Sequence, residues 1–224
     1  MICSVIPAYN EEASIGGLVK ETTKYVDTVI VVDDGSLDAT AKNAQKAGAI
    51  VIRHSRNRGK GEALKTGFIK AVSLNADVVI TLDGDGQHSP NEILKFLKVL
   101  KQENADIVVG SRFLKGVTVG RKMPTQRAIS NTMTTNILKV FFGIPLTDSQ
   151  SGFRAFKAKT LKKLGYTDSK FAAETEILID AHKKGFKIRE VDIKTRYGTE
   201  KSKIKPLKDT IRWIQRVIIK KIQG

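Results

Sequence analysis

Two aspartates, Asp83 and Asp85, stand two positions apart in the segment DGDGQHSP, residues 83–90. The segment follows an apolar run, residues 78–82, that predicts a buried strand, and Pro90 predicts the start of a helix. Carboxylates at the end of a strand, with glycines beside them, offer hard oxygen ligands and room for a substrate to approach the backbone. This combination favours Mg²⁺ or Mn²⁺, with a substrate diphosphate completing the coordination.

Two other interpretations compete for this segment. A calcium-binding EF-hand is excluded, because that loop needs Gly at its sixth position and Glu at its twelfth, where the chain has His88 and Leu94. A solvated Asp-Gly turn is not excluded by the segment alone, since such turns are common.

The length, charge and cysteine content of the chain limit its class. Its 224 residues are enough for one domain with a substantial core. The single cysteine, Cys3, excludes an internal disulfide and favours a reducing compartment. We expect no secretory signal peptide and no apolar run of about 18 residues that could span a bilayer. The formal charge of +16 requires an anionic partner: nucleic acid, anionic lipid or a phosphorylated small molecule.

Short apolar runs alternate with helical patterns along the first half of the chain. Strands are predicted at residues 2–6, 28–32, 50–53, 78–82 and 106–109. Helices are predicted near residues 14–25, 38–47, 60–73, 90–102, 124–141, 173–184 and 206–222. The alternation predicts an α/β fold with right-handed crossovers and a largely parallel sheet. Ligands of such sheets bind beyond the carboxyl ends of the strands, so the polar clusters at 7–9, 33–35 and 83–85 should converge on one site.

The segments after the second and third strands carry further candidates. Asp34 is predicted to accept hydrogen bonds from a base or a ribose hydroxyl, and Asp38 to cap the following helix. Residues 59–61, Gly-Lys-Gly, match neither a Walker loop nor a dinucleotide fingerprint, because His54 and Leu64 stand where glycines are needed. We interpret them as the opening of a helix that packs tightly on the sheet.

Charged residues in the second half are also candidates. Arg112 follows the fifth predicted strand, where a fixed guanidinium is a natural phosphate ligand. Glu174 and Glu176 begin a helix, and favourable placement at its positive N-terminus explains at least one of them. No metal is assigned to the histidines, which share no ligand spacing: His54, His88 and His182.

Seven motifs in order resemble glycosyltransferase family 2, most closely its branch of dolichol-phosphate mannose synthase-like polyprenyl-phosphate glycosyltransferases. The resemblance covers about residues 2–203. The motifs are PAYNEE (7–12), DDGSLDAT (33–40), GKGEALKTG (59–67), DGDGQHSP (83–90), GSR (110–112), DSQSGFRAF (148–156) and RYGTEKSK (196–203). The resemblance implies a GT-A fold, a Rossmann-like sheet flanked by helices. It implies a catalytic domain at 1–198, with a nucleotide-sugar half at 1–112 and an acceptor half at 113–198. Residues 199–224 would supply an acceptor loop and a basic amphipathic helix.

The same resemblance implies roles for individual residues. Those that resemble the nucleoside pocket are Pro7, Tyr9, Glu11, Val32 and Asp34. Those that resemble the metal and diphosphate site are Asp83, Gly84, Asp85 and Gln87, with Asp83, Asp85 and Gln87 holding the metal. Those that would close on the donor and acceptor phosphates are Arg112, Arg196 and Lys203, and with Asp85 they form the expected catalytic set.

Two departures from the family pattern qualify these roles. Gln126 stands where the family usually has Arg four residues before Ser130, with Arg127 one step nearer. The interval from Arg196 to Lys203 is one residue longer than the common spacing, which leaves open whether Lys201 or Lys203 fills the role.

The activity implied is an inverting, metal-dependent transfer of a mannose- or glucose-type sugar from a GDP- or UDP-linked donor to dolichyl or polyprenyl phosphate. The protein would act as a peripheral protein on the inner, cytoplasmic face of the cell membrane. Its expected partners are the donor, the lipid phosphate, anionic lipids and a membrane-anchoring subunit, with no nucleic acid. Two alternatives stay open. The first is a family relative that uses Glu174 or Glu176 as a base for a saccharide or protein acceptor. The second is a basic nucleic-acid-binding protein, which leaves the strand-end carboxylates unexplained.

The C-terminal pattern favours a lipid acceptor. An apolar stripe and a basic stripe follow one predicted helix, with Trp213 at their boundary. The apolar members are Leu207, Ile211, Ile214, Ile218 and Ile222, and the basic ones are Lys208, Arg212, Arg216 and Lys220. Reversible attachment to anionic lipid and packing against the catalytic domain both fit this pattern. A second amphipathic stretch, residues 137–144, is expected to dip into the membrane interface.

Overall fold

The structure is a computed structural model that describes residues 1–114, 125–164 and 173–195. In this part of the chain seven strands form one sheet. The strands are β1 (Ile2–Ala8), β2 (Thr28–Asp33), β3 (Ile50–Arg53), β4 (Val78–Thr81), β5 (Ile107–Ser111), β6 (Arg154–Lys157) and β7 (Ile188–Asp192). The helices are α1 (Ile15–Thr22), α2 (Thr40–Lys46), α3 (Lys60–Ser73), α4 (Ile93–Gln102), α5 (Thr125–Phe142), α6 (Ala158–Lys163) and α7 (Ala173–Lys183), with a 3₁₀ turn at Pro90–Glu92 before α4.

The strand order across the sheet is β3-β2-β1-β4-β6-β5-β7. All the pairs are parallel except those of β6, which runs antiparallel to both β4 and β5. The predicted α/β fold with a largely parallel sheet is therefore confirmed. The five predicted strands are all present, and α3 spans the residues predicted for it.

Three elements were not predicted: β6, α6 and β7. Both missed strands are short and rich in charge, with the sequences RAFK and IREVD, so neither shows the apolar run that marks the central strands. They form because neighbouring strands supply partners along their length, and this tertiary pairing overrides a weak local preference.

Helix α3 packs closely on the sheet, as its glycine-rich opening predicts. The closest approach is at Gly67, where an added Cβ would lie 2.2 Å from Cγ1 of Val5 on β1. Ala63 and Phe68 of the same helix are buried in the cluster that covers this face of the sheet. A second cluster, which includes Phe96 of α4, covers the other face. The sheet is thus buried between two helical layers, and its strand ends are fixed in position.

Several predictions fall on residues outside those that the structure describes. They concern Arg196, Lys201, Lys203 and the C-terminal helix at 206–222, together with the side chains of Gln126 and Arg127. Among the described helices, none combines the length and the apolar character needed to cross a membrane.

Candidate functional site

The loops after β1 and β2 are joined by hydrogen bonds between their polar side chains and backbone. Asn10 has a left-handed backbone, with φ of 55°, and its side-chain oxygen accepts a bond from the N–H of Leu37 at 2.9 Å. The N–H of Asn10 in turn donates to Ser36 Oγ at 3.0 Å. The N–H of Glu11 donates to Thr40 Oγ1 at 2.8 Å. The motifs PAYNEE and DDGSLDAT therefore form one structural unit.

Asp34 anchors the loop that leads into α3. Its buried carboxylate accepts bonds from the N–H groups of Arg58 at 2.9 Å and Gly59 at 2.7 Å. His54 Nδ1 lies 2.7 Å from the same carboxylate. The predicted contact of Asp34 with a nucleoside stays a prediction, and the structure adds a second role, since Asp34 fixes the start of α3.

Asp38 satisfies an N–H group at the start of α2, as predicted. Its carboxylate accepts a bond from the N–H of Thr40, the first residue of the helix, at 3.0 Å. The N-cap position itself is occupied by Ala39, so Asp38 acts from one residue earlier than a standard cap.

The residues expected to form the nucleoside pocket lie on neighbouring strand ends. Pro7 and Val32 are buried register partners on β1 and β2, and Tyr9 is exposed just beyond them. Ser14, at the start of α1, donates from Oγ to the carbonyl of Gly84 at 2.7 Å. This bond links the β1 side of the site to the loop after β4, and Glu11 belongs to the same segment. The predicted convergence of strand-end clusters is present, and the binding role of each residue stays a prediction.

The two aspartates of the DGDG segment sit in different electrostatic surroundings. Burial and the negative charge of Asp83 raise the pKa of Asp85 to about 6, against a smaller opposing effect of the Gln87 N–H, which donates to Asp85 Oδ1 at 3.0 Å. Burial is also the largest single influence on the pKa of Asp83 and acts to raise it, but the neighbouring positive charges, with Lys60 first among them, together outweigh it and the net shift is downward. Gly84, between them, packs tightly on the end of β1, since a Cβ there would lie 3.0 Å from the carbonyl oxygen of Pro7.

Lys60 is a site residue that the sequence argument missed. Its Nζ lies 2.6 Å from Asp83 Oδ1 and 3.0 Å from Glu174 Oε1. Burial acts to lower its pKa, but the two carboxylates reverse the effect and raise it. Gly59, with φ of 96°, turns the chain so that α3 begins at Lys60 beside the strand ends. The sequence signal that could have identified Lys60 is its position, since it is the first residue of a helix that starts at this edge of the sheet.

The loop before β6 presses directly on Asp83. An added Cβ at Gly152 would lie 2.4 and 2.5 Å from the two carboxylate oxygens of Asp83. Thr81 Oγ1 donates to the carbonyl of Gly152 at 2.7 Å and holds the loop in place. The Gly of the SGFR segment is therefore explained by the space that the Asp83 carboxylate needs.

Arg154 holds the same loop in place through hydrogen bonds. Its guanidinium is buried and donates to three carbonyl oxygens, those of Ser149 at 2.8 Å, Ser151 at 2.8 Å and Glu174 at 2.5 Å. These bonds bring the start of α7 to the site. Of the two glutamates considered as bases, Glu174 reaches Lys60 and the site, whereas Glu176 is buried in α7.

Arg112 lies at the site but is already paired. Its Nε and Nη2 contact the two carboxylate oxygens of Asp148 at 2.6 and 2.8 Å. Its charge nevertheless helps to lower the pKa of Asp83, as a smaller effect than that of Lys60 and against the opposing effect of burial. The predicted contact with phosphate stays a prediction, now with a guanidinium of fixed orientation.

His88 packs beneath Asp83. Its Nε2 lies 3.9 Å from Asp83 Oδ2, and its ring centroid is 5.4 Å from that of Phe153. Burial lowers the pKa of His88 to about 4, so the imidazole is neutral at neutral pH. The imidazole thus forms part of the floor of the site, and the main chain of His88 pairs with that of Thr195 in an isolated bridge.

The donor set at the end of β4 fits a divalent cation. In the described residues, no three or more His, Cys, Asp or Glu side chains form a group that could hold a metal ion. Mg²⁺ is usually held by one or two carboxylates together with substrate phosphates, which is what Asp83 and Asp85 could provide, with Gln87 beside them. The pKa of Asp85 is raised by burial first and by the charge of Asp83 second, and a bound cation would offset both effects.

The sequence is similar to a known protein family and to several individual proteins. The sequence profile of "Glycosyl transferase family 2" matches residues 3–165. An uncharacterized protein of Methanocaldococcus jannaschii is 40% identical over 196 residues, 86% of this chain and 80% of that protein. A UDP-N-acetylglucosamine--dolichyl-phosphate N-acetylglucosaminyltransferase of Methanococcus voltae is 36% identical over 217 residues, 88% of this chain and 86% of that enzyme. A polyprenol monophosphomannose synthase of Mycolicibacterium smegmatis is 30% identical over 201 residues, 84% of this chain and 75% of that enzyme.

Solved structures show the same fold. Glucosyl-3-phosphoglycerate synthase from Mycobacterium tuberculosis, in complex with Mn²⁺, UDP and phosphoglyceric acid, superposes with a TM-score of 0.76 at 22% identity. The match covers 99% of this chain and 78% of that one. At this level of identity the likeness shows the fold, and it confirms the predicted GT-A arrangement.

Proposed function

Because the chain belongs to glycosyltransferase family 2, we propose that this glycosyltransferase moves a sugar from a nucleoside diphosphate to dolichyl or polyprenyl phosphate. The donor would carry a mannose- or glucose-type sugar on GDP or UDP, and Mg²⁺ or Mn²⁺ would assist. In this proposal residues 1–112 form the nucleotide-sugar half and 113–198 the acceptor half. The reaction takes place at the cytoplasmic face of the membrane.

One observation carries the donor part of the proposal: Asp83 and Asp85 meet Lys60 and Arg112 at the carboxyl ends of the strands. Carboxylates suit a metal, and fixed cations suit phosphate groups. The glucosyl-3-phosphoglycerate synthase structure with this fold contains Mn²⁺ and UDP, which supports the same ligand class here.

The reaction itself makes modest demands on the protein. A phosphate oxygen of the acceptor forms a bond to the anomeric carbon while the bond from that carbon to the donor diphosphate breaks. A bound divalent cation would supply Lewis-acid stabilisation of the leaving diphosphate. Lys60 and Arg112 would stabilise the same developing charge from fixed positions. The acceptor phosphate is already anionic at neutral pH and needs no base, and in-line attack inverts the anomeric carbon.

The surface of α5 supports a lipid-linked acceptor. Ile129 and Val140 are 63% and 77% exposed, and Met133 and Phe141 are exposed on the same helix. Apolar side chains on the surface of one helix suit contact with acyl chains. The expectation that residues 137–144 dip into the membrane as a unit needs correction, because two of its members, Leu138 and Ile144, are buried in the core. In the corrected proposal, Ile129, Met133, Val140 and Phe141 make the lipid contact.

The donor is tested by thermal-shift measurement with UDP- and GDP-linked mannose, glucose and N-acetylglucosamine, each with Mn²⁺. We expect one nucleotide series to raise the melting temperature by several degrees, because ligands that bind only the folded state stabilise it. Incubation of that donor with a short, soluble polyprenyl phosphate should then yield a lipid-phosphate sugar, detected by mass spectrometry. Stabilisation by no donor, or a donor without transfer to the lipid phosphate, would contradict the proposal.

A second candidate, transfer to a saccharide or protein hydroxyl, is favoured by one contact. Glu174 reaches the site through Lys60 and could serve as the base that a neutral hydroxyl requires. Glu174→Gln distinguishes the two reactions. We expect less than about a tenfold loss of turnover with a phosphate acceptor, whereas loss of a general base costs about 10²–10⁴-fold. A loss in the larger range, together with activity on a saccharide, would favour the second candidate.

A further inference from the structure

We propose that Asp148 and Glu190 are positioning residues that hold the Arg112 guanidinium in the orientation that binds the donor diphosphate. The inference rests on the proposed nucleotide-sugar donor, but not on the identity of the acceptor. It concerns two carboxylates that lie behind Arg112, one in the loop before β6 and one on β7.

The Arg112–Asp148 contact is a bidentate pair. Nε and Nη2 lie 2.6 and 2.8 Å from the two oxygens of a carboxylate that is 0% exposed. The Arg112 side chain itself is 10% exposed. Two parallel bonds to a planar carboxylate fix the plane of the guanidinium as well as its position. The pair uses two of the five N–H donors of the guanidinium, and the side chain stays tied to the edge of the sheet.

Glu190 fixes the loop that carries Asp148. Both of its oxygens lie 2.9 Å from the N–H of Thr147, and Oε1 accepts the N–H of Asp148 at 3.1 Å. Burial raises the pKa of Glu190, against the opposing effect of these N–H groups. Glu190 is therefore kept in place by two consecutive backbone donors, and it sets where the Asp148 carboxylate stands.

The two ends of this series of contacts, Arg112 and Glu190, lie on or directly after neighbouring strands of the sheet. Val109 of β5 and Glu190 of β7 are register partners, and Arg112 directly follows β5. Ser111 Oγ lies 2.5 Å from Thr147 Oγ1 and joins the loop to the end of β5. Arg112 and the loop that carries Asp148 are therefore both anchored to the β5–β7 pair, which restricts rotation of the guanidinium.

The arrangement is better suited to function than to stability. A buried ion pair commonly contributes little net stability, because the cost of desolvating both charges offsets their attraction. A guanidinium held in advance needs no reorganisation when charge develops on a leaving diphosphate, and this is where fixed dipoles and charges lower a barrier most. Thr81 of β4 and Val109 of β5 both pair with Arg154 of β6, so Asp83 and Arg112, which follow those two strands, lie beyond the same edge of the sheet.

Comparing the binding of nucleoside diphosphates and monophosphates tests whether Asp148 and Glu190 orient Arg112 or only stabilise the structure. Dissociation constants for UDP and UMP, and for GDP and GMP, are measured by calorimetry with Mn²⁺. In Asp148→Asn we expect diphosphate affinity to fall about tenfold and monophosphate affinity to change less than twofold, since a misplaced group loses only its own contact. Glu190→Gln should show the same selective loss at about threefold, because it acts one step further away.

Two controls sharpen the result. Glu92→Gln alters another buried carboxylate that accepts a backbone N–H, that of Lys194 at 3.0 Å, and should leave both affinities unchanged. In an Arg112→Ala background, Asp148→Asn should have no further effect on the ratio of the two affinities, because Asp148 acts through Arg112.

Equal weakening of both nucleotides, tighter diphosphate binding in Asp148→Asn, or full additivity with Arg112→Ala would overturn the inference. If Asp148→Asn fails to fold, Glu190→Gln and its combination with Arg112→Ala provide the same readings. A wild-type protein with no preference for the diphosphate would also overturn it. Transfer to a different acceptor would refute the proposed lipid acceptor while leaving these binding results intact.

Discussion

Two cation–carboxylate pairs stand at the same edge of the sheet, and they are built differently. Lys60 contacts Asp83 and Glu174 through a single ammonium, and the side chains of Lys60 and Asp83 are 39% and 28% exposed. Arg112 contacts Asp148 through two bonds, with the side chains 10% and 0% exposed. We call the first, which is partly exposed to water, the open pair, and the second, which is almost fully buried, the closed pair.

The difference indicates which contact can change when ligands bind. Water screens the open pair, and lysine is a point charge on a flexible stem, so Asp83 can exchange Lys60 for another cation at modest cost. The closed pair has no such freedom, because breaking it leaves a buried charge without a partner. We therefore expect Asp83 and Lys60 to rearrange around a metal and donor, while Arg112 and Asp148 remain as they are.

The largest expected effect comes from removing Asp85, a carboxylate for which the described residues show no ion pair. Asp85→Ala should lower transfer at least about 10³-fold, because the metal loses a ligand and the leaving diphosphate loses charge stabilisation. The fold should be intact, with a melting temperature close to that of the wild type. Wild-type protein treated with chelator is the reference for complete loss. Substantial activity of the variant in chelator would remove the metal from the account.

A methyl group placed beside Asp83 should have the next largest effect. Gly152→Ala puts a Cβ within 2.4 Å of a carboxylate oxygen, so Asp83 must leave the position in which it contacts Lys60 and would hold the metal. We expect turnover to fall about 10²-fold, as misplacement by about 1 Å can cost. The free energy of unfolding should change by less than about 1 kcal/mol, because a side-chain end can shift.

The matched control is Gly17→Ala on α1, where nothing lies within 4 Å of the added Cβ. It should keep full activity and gain up to about 1 kcal/mol of stability from better helix propensity. Equal activity of the two alanine variants would mean that the position of Asp83 is not critical.

A smaller effect is expected from Lys60→Met, which keeps the length of the side chain and removes its charge. Turnover should fall about tenfold, while Lys60→Arg retains most of it, since a cation near the leaving group is what the site requires. Lys70→Met on the same helix serves as the control for loss of one positive charge. An unchanged rate in Lys60→Met would make Lys60 a structural counter-ion only.

The parts of the site that the sequence predicted are those that follow from strand ends. Asp83 and Asp85 directly follow an apolar run, so their place at the edge of a parallel sheet could be deduced. The contact of Lys60 with Glu174 could not be predicted from the sequence, because Glu174 is far away in the chain and the contact depends on how α7 packs against the sheet.

The closed pair was still harder to foresee. Glu190 belongs to β7, whose sequence IREVD contains three charged residues and lacks the apolar run that predicts a strand. Asp148 lies in a loop without a regular pattern. Arg112 was predicted from its position after the fifth strand and from the family resemblance, but the carboxylate that holds it depends on the β5–β7 pairing. Local patterns predicted the two aspartates at the end of β4, whereas the residues that support them emerged only from tertiary contacts.

A crystal structure grown with Mn²⁺ and the nucleoside diphosphate that binds would test the contrast between the two pairs most directly. The account predicts that Lys60 Nζ moves beyond 4 Å from Asp83 Oδ1, from 2.6 Å here, while Arg112 keeps both bonds to Asp148. The opposite result, an intact Lys60–Asp83 contact with Arg112 turned away from Asp148, would contradict it.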